Sequence, residues 1–360
     1  MKSITVLLTA SGSQFAPGII KCLKKNGERE IRVIGADMSN DPSNKYLVDS
    51  FYCVPSTSSP LYIDNVLNIC EKEHIDILLP QMSAELPLYL DNIKKFEEIG
   101  TRVSMTASPN VNIANNKLRL FEFMKKNDIE TPRFAGVHSF AEFKNGLFEI
   151  GYPYKPVVVK IPESSGARGV RVIDEGKSKY EIFAHEKPTS VYVSYEDMKS
   201  ILLDAEKSLG KGFFPELMLM EYLPGDEYDI DLLAEDGRVL YTAGRRNPEI
   251  VMSISQTSIL ERNEHAERIA DKLVEALKLD GNLGFDFKFD ENGETQLLEI
   301  NPRIDATVSI FAAGGLNLPY LRVKQLLGEV LPNVDVKYGV HLKRRYMETF
   351  TDGDGNCIDW

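Results

Sequence analysis

A chain of 360 residues, 43% hydrophobic and 27% charged, can bury a substantial core and suggests two domains or one domain with subdomains. Its formal charge of -12 argues against a phosphate-backbone-binding surface and so against nucleic acid as a partner. Four cysteines without C-x-x-C spacing and five scattered histidines argue against a disulfide scaffold and a zinc site, and no stretch approaches the ~20 apolar residues of a membrane span.

Residues 4–10 form a short apolar run; its stretch 4–8 is too short for a leader's hydrophobic segment and no small-residue cleavage site follows, so the expected compartment is the cytoplasm. A helical pattern carrying Ile19, Ile20 and Leu23 follows, then a second apolar run over 31–36 that ends in Asp37. This is the βαβ start of a doubly wound α/β sheet. Asp37 stands where a ribose-binding acid would, but Gly12 and Gly18 do not make the G-x-G-x-x-G fingerprint, which weighs against a nicotinamide site. Helix, strand, helix and strand are expected over 61–73, 74–80, 86–98 and 102–106. Glu85 reads as an exposed helix-start glutamate favoured by the helix dipole, or as a residue facing substrate.

A helix opens at Asn115-Asn116-Lys117, with Leu118, Phe121 and Met124 on one side. Residues 156–160 are a buried-strand pattern ending in Lys160, and IPESSGARGV comes next. Ser164, Ser165, Gly166 and Gly169 are small enough to let backbone N–H groups approach phosphate oxygens. With little apolar surface to bury, that loop is expected to act as a lid whose order depends on nucleotide. Residues 174–211 read as an extra hairpin and then a helix over 195–209. Asp236-Gly237 is a hairpin turn, Arg245 and Arg246 are candidate anion ligands, and residues 266–277 make an amphipathic helix ending near Gly281.

The most informative stretch is GFDFKFDENGETQLLEINPR, residues 284–303. Phe285, Phe287 and Phe289 alternate with Asp286 and Lys288 as in a half-buried strand, and residues 290–293 supply turn chemistry before the return strand over 296–301. A four-residue loop would set residue 286 opposite residue 297. Asp286, Glu299 and Asn301 then share one face, and Phe285, Phe287, Leu298 and Ile300 fill the other. Diagonal carboxylates roughly 7–8 Å apart could share one or two cations, and such oxygen ligands suit Mg²⁺. A plain hairpin with a solvated acidic face fits the pattern equally well. From residue 336 the chain is β-rich and carries the basic run Lys343-Arg344-Arg345.

Asp286, followed thirteen positions later by Glu299 in LEINPR, resembles the metal-binding signature of the ATP-grasp superfamily. The likeness covers roughly residues 1–330. It is nearest to short relatives of the carbamoyl-phosphate synthase large subunit, with D-alanine–D-alanine ligase more distant. It implies an α/β architecture: a Rossmann-like pre-ATP-grasp domain over 1–110 (GADMSND, IDILLPQMSAEL), an ATP-grasp domain over 111–330 with a lid subdomain over about 130–215, and a β-rich tail over 331–360 packed on it. By the same resemblance, Asp286, Glu299 and Asn301 bind metal. Lys117, Lys160, Ser165, Gly166, Arg168 and Gly169 meet the phosphates. Glu221, Tyr222 and Leu223 meet the adenine, and Glu227 the ribose. Arg303 and Lys160 are the catalytic residues.

Two positions depart from the family pattern: Asn116 stands where Asp is usual, and Arg303 leads into Ile304-Asp305-Ala306-Thr307 instead of small residues including glycine, which touches the acceptor pocket. The implied activity is a ligase that uses ATP and one or two Mg²⁺ ions, with Mn²⁺ as a substitute. It would activate a small-molecule carboxylate as an acyl phosphate and join it to an amine, releasing ADP and phosphate. The implied partners are small molecules only, with a homodimer as the candidate assembly. The alternatives are phosphorylation of bicarbonate or carbamate, and a non-catalytic ATP-binding sensor.

Overall fold

The computed structural model describes residues 1–106, 110–164, 168–187, 190–251, 254–353 and 355–358, and three sheets organise them. The first is parallel: β1 (Ile4–Thr9), β2 (Ile31–Asp37), β3 (Ser50–Cys53), β4 (Ile77–Leu79) and β5 (Arg102–Val103) stand in the order β3-β2-β1-β4-β5. Because strand side chains alternate, Val6 and Leu8 face helix α1 (Ala16–Lys24), while Leu7 faces α2 (Tyr62–Glu73) and α3 (Leu86–Glu98). Asp37 is committed within the protein: its carboxylate accepts from the backbone N–H groups of Gly12 and Ser39, at 2.8 and 2.9 Å. A Cβ at Gly12 would lie 2.8 Å from that carboxylate, so glycine is what lets the loop close on it.

Glu85 corrects the sequence reading. It is 2% exposed, not solvated, and accepts from Thr9 Oγ1, Tyr62 Oη and the N–H groups of Gln81 and Met82. Burial raises its pKa despite those bonds, and its carboxylate ties β1 and α2 to the turn that starts α3.

Helix α4 (Val111–Ala114) and helix α5 (Lys117–Lys126) lead to the second sheet, whose order is β6-β10-β7-β8-β9. Its strands are β6 (Phe134–Val137), β7 (Val157–Lys160), β8 (Val170–Ile173), β9 (Tyr192–Val193) and β10 (Leu217–Glu221). Val157, Val159, Leu217 and Leu219 pack on α6 (Phe140–Ile150) and α8 (Tyr195–Leu209), whereas Val158, Met218 and Met220 turn toward α5. The hairpin expected after residue 174 is instead helix α7 (Lys179–His185) followed by β9. A capping box decides it: Ser178 Oγ accepts from Glu181 N at 3.1 Å, and Glu181 Oε2 accepts from Ser178 N at 2.7 Å.

The third sheet is antiparallel in the order β15-β14-β11-β12-β13-β16, built from β11 (Glu227–Glu235), β12 (Arg238–Val251), β13 (Ile254–Leu260), β14 (Gly281–Phe289), β15 (Thr295–Asn301) and β16 (His341–Lys343). Tyr228, Ile230, Leu232, Phe285, Phe287 and Ile300 bury one face against α5 and α9 (Glu264–Leu277). The other face begins polar at Glu227, Asp229 and Asp231 and turns apolar at Leu233 and Ala243. There it joins a core shared with α1, β1, residues 304–308, α10 (Ser309–Ala313) and α11 (Leu318–Leu326). Polar ties reinforce this junction, among them Lys324 to Glu28 at 2.6 Å and Asn317 Nδ2 to Cys22 O at 2.8 Å. In the tail, β16 pairs with β13, and β17 (Phe350–Thr351) with β18 (Cys357–Ile358). Among the described residues, no helix is long and apolar enough to cross a membrane.

Candidate functional site

The β14–β15 hairpin carries the acids, in a register that differs from the simple expectation. Phe289 faces Thr295, Lys288 faces Gln296 and Phe287 faces Leu297; a bulge then sets Asp286 directly opposite Glu299, and Gly284 opposite Asn301. The loop is one residue longer than expected, and Leu298 is the extra residue of the bulge. Leu297 is therefore the fully buried residue beside Phe287, and Leu298 packs, partly buried, against the same core. The bulge brings the two carboxylates face to face, and Asn301 Nδ2 donates to Asp286 Oδ2 at 3.0 Å. Burial and repulsion from Asp229 and Glu299 hold the Asp286 pKa well above the carboxylate range. Burial also pushes Glu299 up, but Lys117 and Lys160 outweigh it and hold that group below its usual value. An opposed pair with such divergent affinities for protons is one that a cation between them would relieve.

Lys117 is the first such cation. Its ammonium lies 2.6 Å from Glu299 Oε2 and donates to Ser164 O at 2.9 Å, so it joins the acid hairpin to the entrance of the glycine-containing loop. Asn116 places it: Oδ1 caps α5 by accepting from Arg119 N, and Nδ2 donates to Glu163 Oε1 at 2.9 Å. An aspartate could cap the helix but could not donate to Glu163, which accounts for the amide here. Lys160 closes β7 on the α5 side and is 7% exposed, with Nζ 3.8 Å from Met220 Sδ. Burial drives its pKa down to about 8, against the pull of Glu299 and with added repulsion from Lys117.

Ser165 and Gly166 lie outside the described residues. Arg168 is exposed and Gly169, at φ +68°, accepts from Ile161 N through its carbonyl at 2.9 Å, just before β8. Glu221 ends β10 opposite Val157, while Met218 stands opposite Lys160, so three strand positions, roughly 10 Å, separate the two ends. The Glu221 carboxylate accepts from Arg133 N and Nε at 2.8 and 3.0 Å, and its backbone N–H donates to Arg133 O at 3.0 Å, so neither group is free to meet a ligand. Tyr222 pairs its hydroxyl with that of Tyr192 at 3.1 Å, and Leu223 is buried. Glu227 opens β11 opposite Lys288, and burial raises its pKa. Arg303 donates to Ile304 O at 2.9 Å and to Asn301 Oδ1 at 3.2 Å, which sets its guanidinium beside the acid pair.

The sequence reading missed the buried half of the site. Arg245, offered there as an anion ligand, is 1% exposed, and both of its Nη atoms are taken by the protein. Its Nη2 lies 2.6 Å from both Asp229 Oδ2 and Asp305 Oδ1, Nε is 3.7 Å from Asp231, and Nη1 donates to Asn247 Oδ1 and Ser255 Oγ at 2.8 and 2.9 Å. Arg246 is half-exposed and paired with Glu261 at 3.1 Å and Asp226 at 3.5 Å. Asp229 stands opposite Arg245 on β12 and opposite Asp286 on β14. One row of charges therefore runs across four strands and onto α5: Arg245, Asp229, Asp286, Glu299, Lys117. Asp305, the departure noted after Arg303, hooks residues 304–307 to this row, and Arg344 of the tail holds the same segment by donating to Ala306 O and Thr307 Oγ1. The period-2 spacing of Asp229 and Asp231 was the available signal; nothing in the sequence marked Arg245 as their partner.

Among the described residues no three His, Cys, Asp or Glu side chains converge closely enough to cage an ion. The donor set is two opposed carboxylates and an amide, which fits Mg²⁺, an ion that takes one or two carboxylates and fills the rest of its sphere with water and phosphate.

Residues 213–348 match the family described as ATP-grasp in the biosynthetic pathway with Ter operon, and residues 6–104 match the PylC-like N-terminal domain. Biotin carboxylase from Campylobacter jejuni, solved as a β-γ-ATP complex, shares the fold with a TM-score of 0.68 at 16% identity over 94% of this chain and 74% of that one. N5-carboxyaminoimidazole synthetase from Staphylococcus aureus, complexed with ADP, does so with a TM-score of 0.65 at 15% identity over 92% of this chain and 80% of that one. Residues 213–348 thus carry an ATP-grasp match, and the chain as a whole shares the fold of these carboxylase and synthetase structures. In sequence it is related to carbamoyl phosphate synthase large chains: that of Clostridium acetobutylicum is 26% identical over 295 residues, 79% of this chain and 25% of that one. The chain thus spans about a quarter of the length of the large chains it matches.

Proposed function

We propose that this chain is a ligase dependent on ATP and Mg²⁺, which activates a small-molecule carboxylate as an acyl phosphate and passes it to an amine, releasing ADP and phosphate. The observation that carries the reading is Lys117, 2.6 Å from Glu299 in the opposed Glu299–Asp286 pair, with the buried Lys160 within reach of the Glu299 charge. Phosphoryl transfer asks a protein for positioning and charge neutralisation more than for covalent chemistry. Mg²⁺ held by Asp286, Glu299 and Asn301 would supply neutralisation at the phosphates. Lys117 and Lys160 bring two further positive charges there. The backbone of residues 221–223 receives the adenine, and Glu227 accepts from the ribose hydroxyls. Arg303, steadied by Asn301, faces the carboxylate and its tetrahedral adduct. The reading places the protein in the cytoplasm with small molecules as its substrates.

The test is product identity in a screen of carboxylates and amines. Phosphate and ADP should appear in step with ligation; AMP and pyrophosphate would mean an adenylating mechanism and sink the proposal. Bicarbonate alone belongs in the screen, because the sequence relatives are named carbamoyl phosphate synthases and the same machinery would phosphorylate bicarbonate or carbamate. Nucleotide binding without any turnover would instead favour the sensor.

Lys160 gives the reading a pH signature. In the free protein its ammonium loses its proton at about pH 8, whereas phosphate oxygens beside it would hold the proton to higher pH. Above pH 8 binding must therefore take up a proton, and the Kd of Mg²⁺-ATP should rise by up to about tenfold per pH unit. Titration calorimetry at pH 7, 8 and 9, in buffers of different ionisation enthalpy, should show the weakening and the proton uptake together. A Kd that stays flat across this range would disconnect Lys160 from the phosphates.

A further inference from the structure

We infer that Asp229 is a positioning residue for the cation at Asp286, acting through water bound to the ion and not as a direct ligand. The inference rests on the Mg²⁺-ATP reading above and assigns a role to a residue outside the acid pair.

Asp229 is a β11 side chain, 7% exposed, and its two oxygens have different fates. Oδ2 is held at 2.6 Å by Arg245 Nη2 and at 2.8 Å by Asn247 Nδ2, which also fixes the plane of the carboxylate. Asn247 is itself held, accepting from Ser258 Oγ at 2.7 Å and from Arg245 Nη1 at 2.8 Å. Oδ1 is buried and accepts no hydrogen bond from the described residues. A buried, oriented carboxylate oxygen without a donor costs on the order of 1–3 kcal/mol or more, so a donor belongs there.

The strand register says where that donor comes from. Asp229 stands directly across from Asp286, and Asp286 directly across from Glu299. Two carboxylates therefore stand side by side on paired strands, a repulsion that a hydrated cation nearby would relieve. Direct ligation by all three acids is not what the geometry offers, since no three such groups converge on one point among the described residues. Mg²⁺ keeps several of its waters, and each of those is a strongly polarised donor. One such water, on the Asp229 side of Asp286, meets the orphaned oxygen. The protein thereby orients the ion's hydration shell through an acceptor fixed by Arg245 and Asn247, the arrangement by which outer groups tune a metal site.

Mn²⁺ serves as the probe, its affinity read by electron paramagnetic resonance of the full chain with a nonhydrolysable ATP analogue, so that no turnover is needed. Asp229→Asn and Asp229→Glu should each weaken Mn²⁺ by about 10–100-fold, the usual cost of an outer group. Asp229→Glu keeps the charge that Arg245 pairs with and displaces only the oxygens, so it carries the test if the asparagine variant does not fold. Asp305→Asn is the control: it removes an equal charge, 2.6 Å from the same Arg245 nitrogen, at a position outside the row. It should weaken Mn²⁺ clearly less than either Asp229 variant does, since Asp305 is not among the residues paired directly with Asp286 across the sheet. The inference is overturned if Asp229→Glu binds Mn²⁺ like wild type, or if Asp305→Asn weakens it as much as Asp229→Asn does. A wild-type protein that fails to take up Mn²⁺ with the analogue would count against the Mg²⁺-ATP reading itself.

Discussion

Glu299→Gln should abolish Mg²⁺-dependent turnover, by at least about 100-fold, while leaving the fold intact. The substitution preserves shape and removes one of the two carboxylates in the donor set, together with the partner of Lys117 2.6 Å away. Its effect on stability has opposing parts. A half-buried ion pair is lost, but so is the repulsion between Glu299 and Asp286, which stand directly opposed. The melting temperature should therefore stay within a few degrees of wild type or rise, the pattern expected where stability is given up for function. Phosphate release measured alongside thermal melting separates the two effects. Wild-type-like turnover in a variant of normal stability would remove the central claim about the acid pair.

Arg245→Met should be among the most destabilising single changes in the protein, at about 3–5 kcal/mol, because it leaves buried carboxylates without their counter-charge. Asp229, Asp231 and Asp305 all lean on this guanidinium. The deficit should depend on pH with a definite sign. Burial already raises Asp229 to about 7 in the intact protein, with Arg245 pulling it back and Asp305 pushing it up. Without Arg245 it rises further, and the folded state then holds protons that the unfolded chain releases near pH 4. Stability falls with pH wherever the folded state binds more protons, so the variant should lose more relative to wild type at pH 8 than at pH 5. Urea unfolding at the two values checks this. An equal loss at both would mean that packing around the side chain matters and its charge does not.

What the sequence made legible was local. Alternation of Phe285, Asp286, Phe287 and Lys288 defined a strand, and the residues at 290–293 supplied its turn. Helices α3 and α8 have the bounds that their apolar spacing predicts, and the parallel first sheet follows from its alternating strands and helices. The errors arose where a distant partner or a competing local signal decides. The bulge at Leu298 is a property of two strands, not of one, so the face-to-face meeting of Asp286 and Glu299 could not be counted out along the chain. Arg245 looked like a free cation because its counter-ions, Asp229 and Asp305, lie 16 and 60 positions away in sequence. Glu85 looked solvated because its donors Thr9 and Tyr62 come from earlier elements. At residues 178–181 the capping box outweighed a strand-like composition, a signal that was present and underweighted.

The apolar core that α1 and β1 share with residues 304–308, α10 and α11 bears on how such a protein can be inherited. The segment after Arg303 is anchored at one end in the charge row and at the other among Ile19, Leu23 and Phe311. A recombination event that swapped the first sheet for a stranger's would have to deliver matching shapes to this seam, or Asp305 and Arg303 would lose their footing. One face of the second sheet is differently placed: its helices α6 and α8 close over strands of the same segment, while Val158, Met218 and Met220 on the other face join the core of α5 and the third sheet. The helical cover of that face can drift or lengthen by itself, while the strands beneath, which carry Lys160 and Glu221, are bound to the same inheritance as the two flanking sheets.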